Sequence, residues 1–290
     1  MQRLTTIAEM RRVSAAAQRA GQRRGFVPTM GALHEGHLAL VRRAKAQADV
    51  TVVSIFVNPL QFPPGEDYQR YPRDLPRDLE LLEALEVDYV FTPSVEEMYP
   101  DNFLTYVNVE QLSAPLCGQF RPGHFRGVAT VVLKLFAIVE PDLAFFGRKD
   151  AQQSVIIRQM VRDLNLPVEI IVCPIVRAPD GLALSSRNLY LSPEERQAAV
   201  IIFRSLCHAR DSIRAGELRA AEIINRMHDL LAQEPRARPE YIEIVDADLL
   251  TPKNYIAGRT LIALAVWIGP ARLIDNLLVE ERAARFVFDL

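Results

Sequence analysis

The chain has 290 residues, of which 49% are hydrophobic and 24% charged, an ordinary composition for a globular protein of one or two domains. Its net charge of −2 argues against a nucleic-acid partner, and no apolar run approaches the roughly 20 residues that span a bilayer, which argues against a membrane partner. Because the first residues show no signal-peptide pattern and the three cysteines are widely spaced, we expect a cytoplasmic protein with free thiols.

The first part of the chain alternates helical patterns with short apolar, β-branched segments. Thr6 and Glu9 match a capping box at the start of a helix, and residues 50–57 have the continuous apolar character of a strand buried on both faces. Residues 58–72 contain four prolines and a glycine, which predicts a loop. The predicted strands cover about 24–28, 50–57, 88–92, 143–146 and 168–176, and the predicted helices about 7–18, 35–48, 75–85, 128–139 and 157–164. This alternation predicts a Rossmann-like open parallel α/β sheet, in which ligands bind at the carboxyl ends of the strands.

The pattern changes near Arg177, where Ala-Pro-Asp-Gly interrupts it. Helices follow at about 193–215 and 220–233, and strand-like runs then occur at 241–245, 261–268 and 273–279. Helices followed by strands favour a small α+β domain. We therefore expect a ligand-binding domain over residues 1–176 and a smaller domain over residues 177–290.

The segment FVPTMGALHEGH, residues 26–37, is the most informative motif. A strand end runs through a glycine-containing turn into a helix start that carries His34 and His37 with Gly36 between them. Free N–H groups at a helix N-terminus attract phosphate, and both rings can donate hydrogen bonds to it. The segment is neither a Walker loop nor a G-x-G-x-x-G fingerprint. Either the histidines are ordinary polar residues at a helix start, or they bind ATP for reaction at its α-phosphate; their pairing around Gly36 favours the second interpretation.

Further polar groups follow other predicted strands. Gln61 comes shortly after the second strand, with Phe56 and Phe62 as apolar walls for a small substrate, although Asn58-Pro59 alone would indicate only a turn. Lys149 lies where the fourth strand ends and a helix begins, which is a favourable position for a cation that binds phosphate.

Three more features allow two interpretations each. The basic segment RPGHFRG at 121–127 either collects anions at the start of the next helix, through Arg121, His124 and Arg126, or forms a solvated loop. Gln153, one helical turn beyond Lys149, either faces the same cleft or lies exposed. The segment ALSSRN at 183–188 either closes over a leaving pyrophosphate or is a serine-rich linker.

Six segments in order, PTMGALHEGH, SIFVNPLQF, RPGHFRGV, FGRKDAQQ, DGLALSSRN and ARLIDN, resemble the pantothenate synthetase family, which shares His-x-G-His with cytidylyltransferases and class I aminoacyl-tRNA synthetases. The resemblance covers nearly the whole chain. It implies a ligase that condenses pantoate with β-alanine through a pantoyl adenylate, with ATP as a substrate and Mg²⁺ as its counter-ion. It also implies a homodimer whose first domain binds ATP and pantoate and whose second domain acts as a lid.

The resemblance also assigns roles to individual residues. Gln61 would contact pantoate and β-alanine, and Gln153 would hold pantoate. The residues implied in catalysis are His34, which would bind the phosphates, His37, which would be the proton donor, and Lys149, Ser185, Ser186 and Arg187. The residues implied in ATP binding are Met30, Gly31, Ala32, Leu33, His34, Glu35, Gly36, His37, Gly147, Arg148, Lys149, Asp150, Val176, Leu184, Ser185, Ser186 and Arg187. No protein ligand for Mg²⁺ follows, and Asp78 is only a weak candidate.

Three positions depart from the family pattern. Arg148 replaces a glutamate that commonly precedes the lysine, Ala151 replaces a bulkier residue, and Cys117 lies where an acidic residue is usual. None of these positions has a catalytic role by the resemblance. Two other functions stay open from the residues: another adenylyl or cytidylyl transferase on the same sheet, and a nucleotide-binding sensor without activity.

Overall fold

The computed structural model describes residues 1–282 and 285–290. The first half of the chain forms a six-stranded parallel sheet with the order β1-β4-β3-β2-β5-β6. The chain order reverses between β2 and β5, which makes this the switch point where a parallel sheet opens a crevice for ligands. The strands are β1 Gln2–Leu4, β2 Arg24–Thr29, β3 Val50–Ile55, β4 Tyr89–Phe91, β5 Leu143–Gly147 and β6 Glu169–Cys173.

Helices cover both faces of this sheet because its strands are apolar on both faces. Phe26 and Val52 pack on one side with the first, sixth and seventh helices, whereas Val27 and Val53 pack on the other side with the second and third helices. The helices are α1 Ile7–Arg19, α2 Glu35–Lys45, α3 Leu75–Ala84, α4 Val95–Met98, α5 Cys117–Phe120, α6 His124–Val139 and α7 Ala151–Asp163. The capping box predicted at Thr6 and Glu9 is present at α1.

The second half forms a four-stranded antiparallel sheet with the order β10-β9-β8-β7. One face packs against helices around a separate core that includes Leu264 and Leu277, and the other face, with Ala263 and Leu278, packs against the core of the first half. The elements are α8 Pro193–Ala198, α9 Val200–Arg214, α10 Ala220–Leu231, β7 Ala237–Asp246, β8 Arg259–Ile268, β9 Ala271–Arg282 and β10 Arg285–Asp289.

The predicted parallel α/β sheet with a C-terminal α+β part is confirmed, with differences in detail. The helix predicted over 193–215 is two helices that meet at Ala199. The strand predicted over 168–176 ends at Cys173 because Pro174 has no N–H for the ladder. The strands β1 and β10 and the short helices α4 and α5 were not predicted. A helix long and apolar enough to cross a membrane does not occur in the part of the chain that the structure describes.

Candidate functional site

A cavity of about 210 Å³ opens at the carboxyl edge of the parallel sheet, around the switch point between β2 and β5. It brings together most of the predicted site residues from five separate segments of the chain. They are Met30, His34, Gly36, His37, Gln61, Gly147, Lys149, Asp150, Gln153, Val176, Leu184, Ser185, Ser186 and Arg187. The lining does not include Gly31, Ala32, Leu33, Glu35 or Arg148. The roles predicted for all of the site residues, in the lining or outside it, stay predictions.

The two histidines begin α2 and are held by the backbone at its first turn. Nδ1 of His34 accepts a hydrogen bond from the N–H of Gly36 at 3.1 Å, and Nδ1 of His37 accepts one from the N–H of His34 at 3.4 Å. The ring centroids lie 4.1 Å apart. A Cβ at Gly36 would lie 2.8 Å from the His34 ring, so glycine makes room for this arrangement. Because both Nδ1 atoms accept, each neutral ring carries its proton on Nε2.

Both histidines are neutral at pH 7. Burial, followed by the Lys149 charge, lowers the pKa of His34 to about 4. Burial, followed by the charges of His34 and Lys149, lowers the pKa of His37 well below its ordinary value. A neutral imidazole still donates one hydrogen bond through Nε2–H. The geometry therefore suits hydrogen bonding to phosphate oxygens more than transfer of a proton.

The turn between β2 and α2 is held by Asp78 of α3. Gly31 and Ala32 both have positive φ, and the Asp78 carboxylate accepts the N–H groups of Ala32 at 2.9 Å and Leu33 at 2.7 Å. These bonds offset the strain of a left-handed alanine, which is of order 1–2 kcal/mol. Asp78, the weak candidate for a magnesium ligand, is thus occupied with the turn. Clusters of three or more acidic, histidine or cysteine side chains that could hold a metal are absent among the described residues.

Gln61 is fixed by buried polar contacts of its side chain. Its Oε1 accepts a hydrogen bond from Nδ2 of Asn58 at 3.1 Å, and its Nε2 lies 3.0 Å from Sδ of Met30. Nδ2 of Asn58 also donates to the carbonyl of Gly127 at 3.1 Å. A Cβ at Gly127 would lie 2.2 Å from the carbonyl oxygen of Leu60, so only glycine lets α6 approach this turn. Asn58 therefore does more than form a turn, because it positions Gln61.

The basic segment at the start of α6 is not a solvated loop, because Arg121 and His124 are buried beside the cavity and contact other groups of the protein. Arg121 forms an ion pair with Glu66 at 2.5 Å and donates to Nε2 of His124 at 3.0 Å. Nδ1 of His124 donates to the carbonyl of Gln61 at 2.7 Å, so both ring nitrogens are used. The guanidinium of Arg126 lies 3.9 Å from the ring centroid of Tyr106. The segment supports the backbone of Gln61.

His124 should make the stability depend on pH, because burial and the Arg121 charge lower its pKa to about 3. In the unfolded chain the pKa is near 6.5, so unfolding takes up a proton between these values. The contribution of the neutral His124 ring to the free energy of unfolding is complete above about pH 6.5 and decreases as the pH falls. Between pH 7 and pH 5, the free energy of unfolding should drop by about 2 kcal/mol more for the wild type than for His124→Asn. Urea denaturation at both pH values measures this difference, and parallel pH curves would contradict it.

The cationic side chains at the cavity differ in their availability. Nζ of Lys149 lies 3.8 Å from the carboxylate of Asp150, a loose contact. Arg187 instead forms a fork with Asp67, with both N–O distances at 2.9 Å. Ser185 caps the short turn that follows by accepting the N–H of Arg187 at 3.3 Å, and Ser186 Oγ lies 3.0 Å from the hydroxyl of Tyr71. Lys149 is therefore the cation with the weaker internal partner.

Sequence reasoning missed several residues that support the site. Asp67 and Tyr71 lie in the proline-rich loop, where their spacing gives no signal. The amide of Asn276 on β9 donates to the carbonyls of Arg148 at 2.9 Å and Lys149 at 3.1 Å. Asn276 lies in the ARLIDN segment, but this motif does not indicate which groups the side chain contacts.

The three departures from the family pattern lie beside the cavity. Arg148 is buried and its Nη2 lies 2.6 Å from the carboxylate of Asp289 on β10, so a partner in this chain balances its charge. Cys117 and Ala151 line a second cavity of about 70 Å³, which shares Lys149 with the first. None of the three residues belongs to the lining of the first cavity.

Comparisons with known proteins show the family of the chain. The model of the family "Pantoate-beta-alanine ligase" matches residues 2–278. "Pantothenate synthetase" of Moorella thermoacetica is 57% identical over 280 residues, which cover 97% of this chain and 99% of the relative. "Pantothenate synthetase" of Caldicellulosiruptor saccharolyticus is 56% identical over 274 residues, with coverages of 94% and 98%.

Solved structures give the same result. The crystal structure of pantothenate synthetase from Thermus thermophilus has a TM-score of 0.91 and 50% identity, and covers 96% of this chain and 99% of that one. The pantoate-beta-alanine ligase from Francisella tularensis, solved as a complex with "Beta-gamma ATP and Beta-alanine", has a TM-score of 0.79 and 38% identity, with coverages of 96% and 97%. The chain belongs to the pantoate-beta-alanine ligase family, and its activity is the ATP-dependent ligation of pantoate to β-alanine.

Proposed function

We propose that the cavity at the switch point performs this ligation in two half-reactions. In the first, the carboxylate oxygen of pantoate attacks the α-phosphorus of ATP, which forms pantoyl adenylate and releases pyrophosphate. In the second, the amine of β-alanine attacks the activated carbonyl, which forms the amide and releases AMP. The observation that carries the proposal is that the two histidines, Lys149 and the 185–187 segment share one cavity with Gln61 and Gln153.

The first half-reaction needs positioning and charge stabilisation, and no covalent nucleophile. The Nε2–H groups of His34 and His37 donate to phosphate oxygens, and Lys149 supplies a positive charge as pyrophosphate leaves. Ser185 and Ser186, which line the same cavity, add hydroxyl donors. The low pKa of His34, about 4, supports hydrogen-bond donation by a neutral ring.

The two glutamines hold the small substrates in this proposal. The fixed Gln61 amide would contact pantoate and β-alanine, whereas the Gln153 side chain, which has no hydrogen bond to the described part of the protein, would bind pantoate. The Francisella structure, whose title names a complex with β-alanine, supports a site for the amine in the same fold.

Mg²⁺ would enter with the phosphates of ATP, whose charge it would partly neutralise. Among the described residues of the cavity, Asp150 offers a carboxylate, and it lies 3.8 Å from Lys149. This donor set fits an ion held mainly by phosphate oxygens and water, with at most one protein ligand.

We further propose the predicted division into a catalytic domain, residues 1–176, and a lid domain, residues 177–290, in a cytoplasmic homodimer. Residues 184–187 of the second part line the cavity, which supports a role of this part in shielding the adenylate from water, which would otherwise hydrolyse it. The side chain of Leu104, 86% exposed next to Phe103 and Tyr106, supports an interface between copies. A monomer mass in sedimentation equilibrium would exclude the dimer.

The proposal is tested by exchange of labelled pyrophosphate into ATP. Exchange should require pantoate but should not require β-alanine, and AMP should appear only when β-alanine is added. Gln153→Ala should weaken pantoate binding by about tenfold or more, the loss of a hydrogen bond to a charged group, while ATP binding stays unchanged. Calorimetric titration of each ligand measures both affinities. Exchange without pantoate, or an equal loss for both ligands, would contradict the assignment.

A further inference from the structure

Two consecutive residues of β9, Asp275 and Asn276, have no direct role in the reaction although both side chains are only 2% exposed. Successive side chains of a strand point to opposite faces of the sheet. Asp275 shares its face with Leu277, which packs in the core of the C-terminal helices. Asn276 shares the other face with Leu278, which packs against the core of the first half. The pair therefore reaches structures on both sides of the second sheet.

Asn276 holds the turn that carries Lys149. Its Nδ2 donates to the carbonyl oxygens of Arg148 at 2.9 Å and Lys149 at 3.1 Å, and these two acceptors require the amide nitrogen at this position. The turn Arg148–Asp150 is a 3-10 helix, whose internal hydrogen bonds have poor geometry. The external bonds from Asn276 therefore fix where the Lys149 backbone lies.

Asp275 holds the segment that leads to Ser185. Its carboxylate forms a fork with Arg177, with distances of 2.6 and 3.0 Å, and Nη1 of Arg177 also donates to the carbonyl of Gly181 at 3.0 Å. The N–H of Leu184 donates to the carbonyl of Val176 at 3.0 Å, which closes a hairpin around Gly181. The chain then passes directly into the serines. The ion pair thus ties this hairpin to β9.

We infer that Asp275 and Asn276 are positioning residues that set the Lys149 turn and the 185–187 segment at a fixed distance from each other. The inference rests on the proposed roles of Lys149 and of the 185–187 segment. Hydrogen bonds to β8 along most of its length, and to β10 from Leu278 onward, hold β9 in place, so the two anchor points stay one residue apart on a fixed strand. Because a misplacement of about 1 Å can slow a reaction by about a hundredfold, such anchoring matters for the rate.

The first test is Asn276→Leu, which has a similar size, removes both donors and adds no charge. Pantoate-dependent pyrophosphate exchange should fall by about tenfold or more, whereas amide formation from preformed pantoyl adenylate and β-alanine should stay within about twofold of the wild type. Rates are normalised to the folded fraction. An equal loss in both half-reactions would show a general structural role and overturn the inference.

A double-mutant cycle tests whether Asn276 acts through Lys149. In a Lys149→Ala background, Asn276→Leu should slow exchange by less than about twofold, because the group that it positions is gone. If the two effects multiply, Asn276 acts by another route and the inference fails. If Lys149→Ala itself leaves exchange unchanged, the proposed role of Lys149 is wrong, and the inference that rests on it fails as well. The single variant thus distinguishes this outcome from a failure of the anchoring alone.

Asp275→Asn tests the second anchor, with Asp142→Asn as a control for the loss of an ion pair to an arginine and with rates normalised to the folded fraction. Both variants break an ion pair of a nearly buried arginine, Arg177 or Arg24, and Asp142 lies at the opposite edge of the parallel sheet from the cavity. The double variant Arg177→Met/Asp275→Leu avoids the cost of an orphaned buried charge and should show the same loss. Exchange should fall by about tenfold or more for the Asp275 variants and by less than about twofold for the control. Equal losses in the control and the Asp275 variants would overturn the assignment.

Discussion

Lys149→Ala should slow adenylate formation by about a hundredfold or more, because the lysine charge matters most while pyrophosphate leaves. Its only close ionic contact in the described structure is the 3.8 Å approach to Asp150, so the charge is available to a phosphate. ATP binding should change less than the rate. The second half-reaction should be spared, since pyrophosphate has already gone when the amine attacks. Exchange kinetics and amide formation from synthetic pantoyl adenylate measure the two steps separately.

Lys45→Ala is the control for this variant. Lys45 ends α2 and its Nζ donates to the carbonyl of Glu86 at 2.6 Å, at the opposite end of the helix from the cavity. Its removal should leave both half-reactions unchanged. A Lys149→Ala protein that is equally slow from preformed adenylate would place the lysine in amide formation or in folding.

His34→Asn should separate the two functions of His34. The ring caps α2 through Nδ1 and presents Nε2–H to the cavity, so alanine removes both functions and asparagine restores only the cap. We expect His34→Ala to be less stable than His34→Asn by about 1 kcal/mol. Both variants should slow exchange by about a hundredfold, the loss typical of one preorganised donor. Urea denaturation and exchange kinetics provide the two measurements.

His37→Ala should lose a similar factor in exchange, because its ring lies beside that of His34 and has the same protonated nitrogen. Nearly normal exchange by the His34→Asn protein would contradict a role of His34 in phosphate binding and would leave it only the role of a helix cap. Equal stability of the alanine and asparagine variants would instead show that the contact to Gly36 contributes little.

The sequence was sufficient to predict the elements whose signals are local. The strand, turn and helix around residues 24–45 were predictable because the apolar run, Gly36 and the helical spacing all lie within one short segment. In contrast, β1 has three residues and pairs only with β4, more than 80 positions later, so no periodicity could reveal it. The break at Ala199 interrupts an otherwise continuous helical pattern, which hides it.

Many of the residues that line the cavity were predictable from the sequence, whereas their hydrogen-bond partners were not. His34 and Lys149 were found from motifs, but the tautomer of His34 depends on a hydrogen bond from the backbone, which no sequence pattern gives. Asp78 contacts a turn 45 residues earlier in the chain, and Arg187 pairs with an aspartate 120 residues earlier. These contacts form because loops that are far apart in the sequence meet at one edge of the sheet. They can be predicted only when the order of the strands in the sheet is known.

If Arg187 binds phosphate as proposed, its fork with Asp67 would make the phosphate compete with a carboxylate of the same protein. Since Arg187 already has two charge-assisted hydrogen bonds, a phosphate that takes its place gains only the difference between the two anions. Asp67 stays attached to the protein and acts at a high effective concentration, so it can recapture the guanidinium when pyrophosphate is made. This exchange of partners would lower the affinity for the nucleotide, and it would also ease the departure of pyrophosphate.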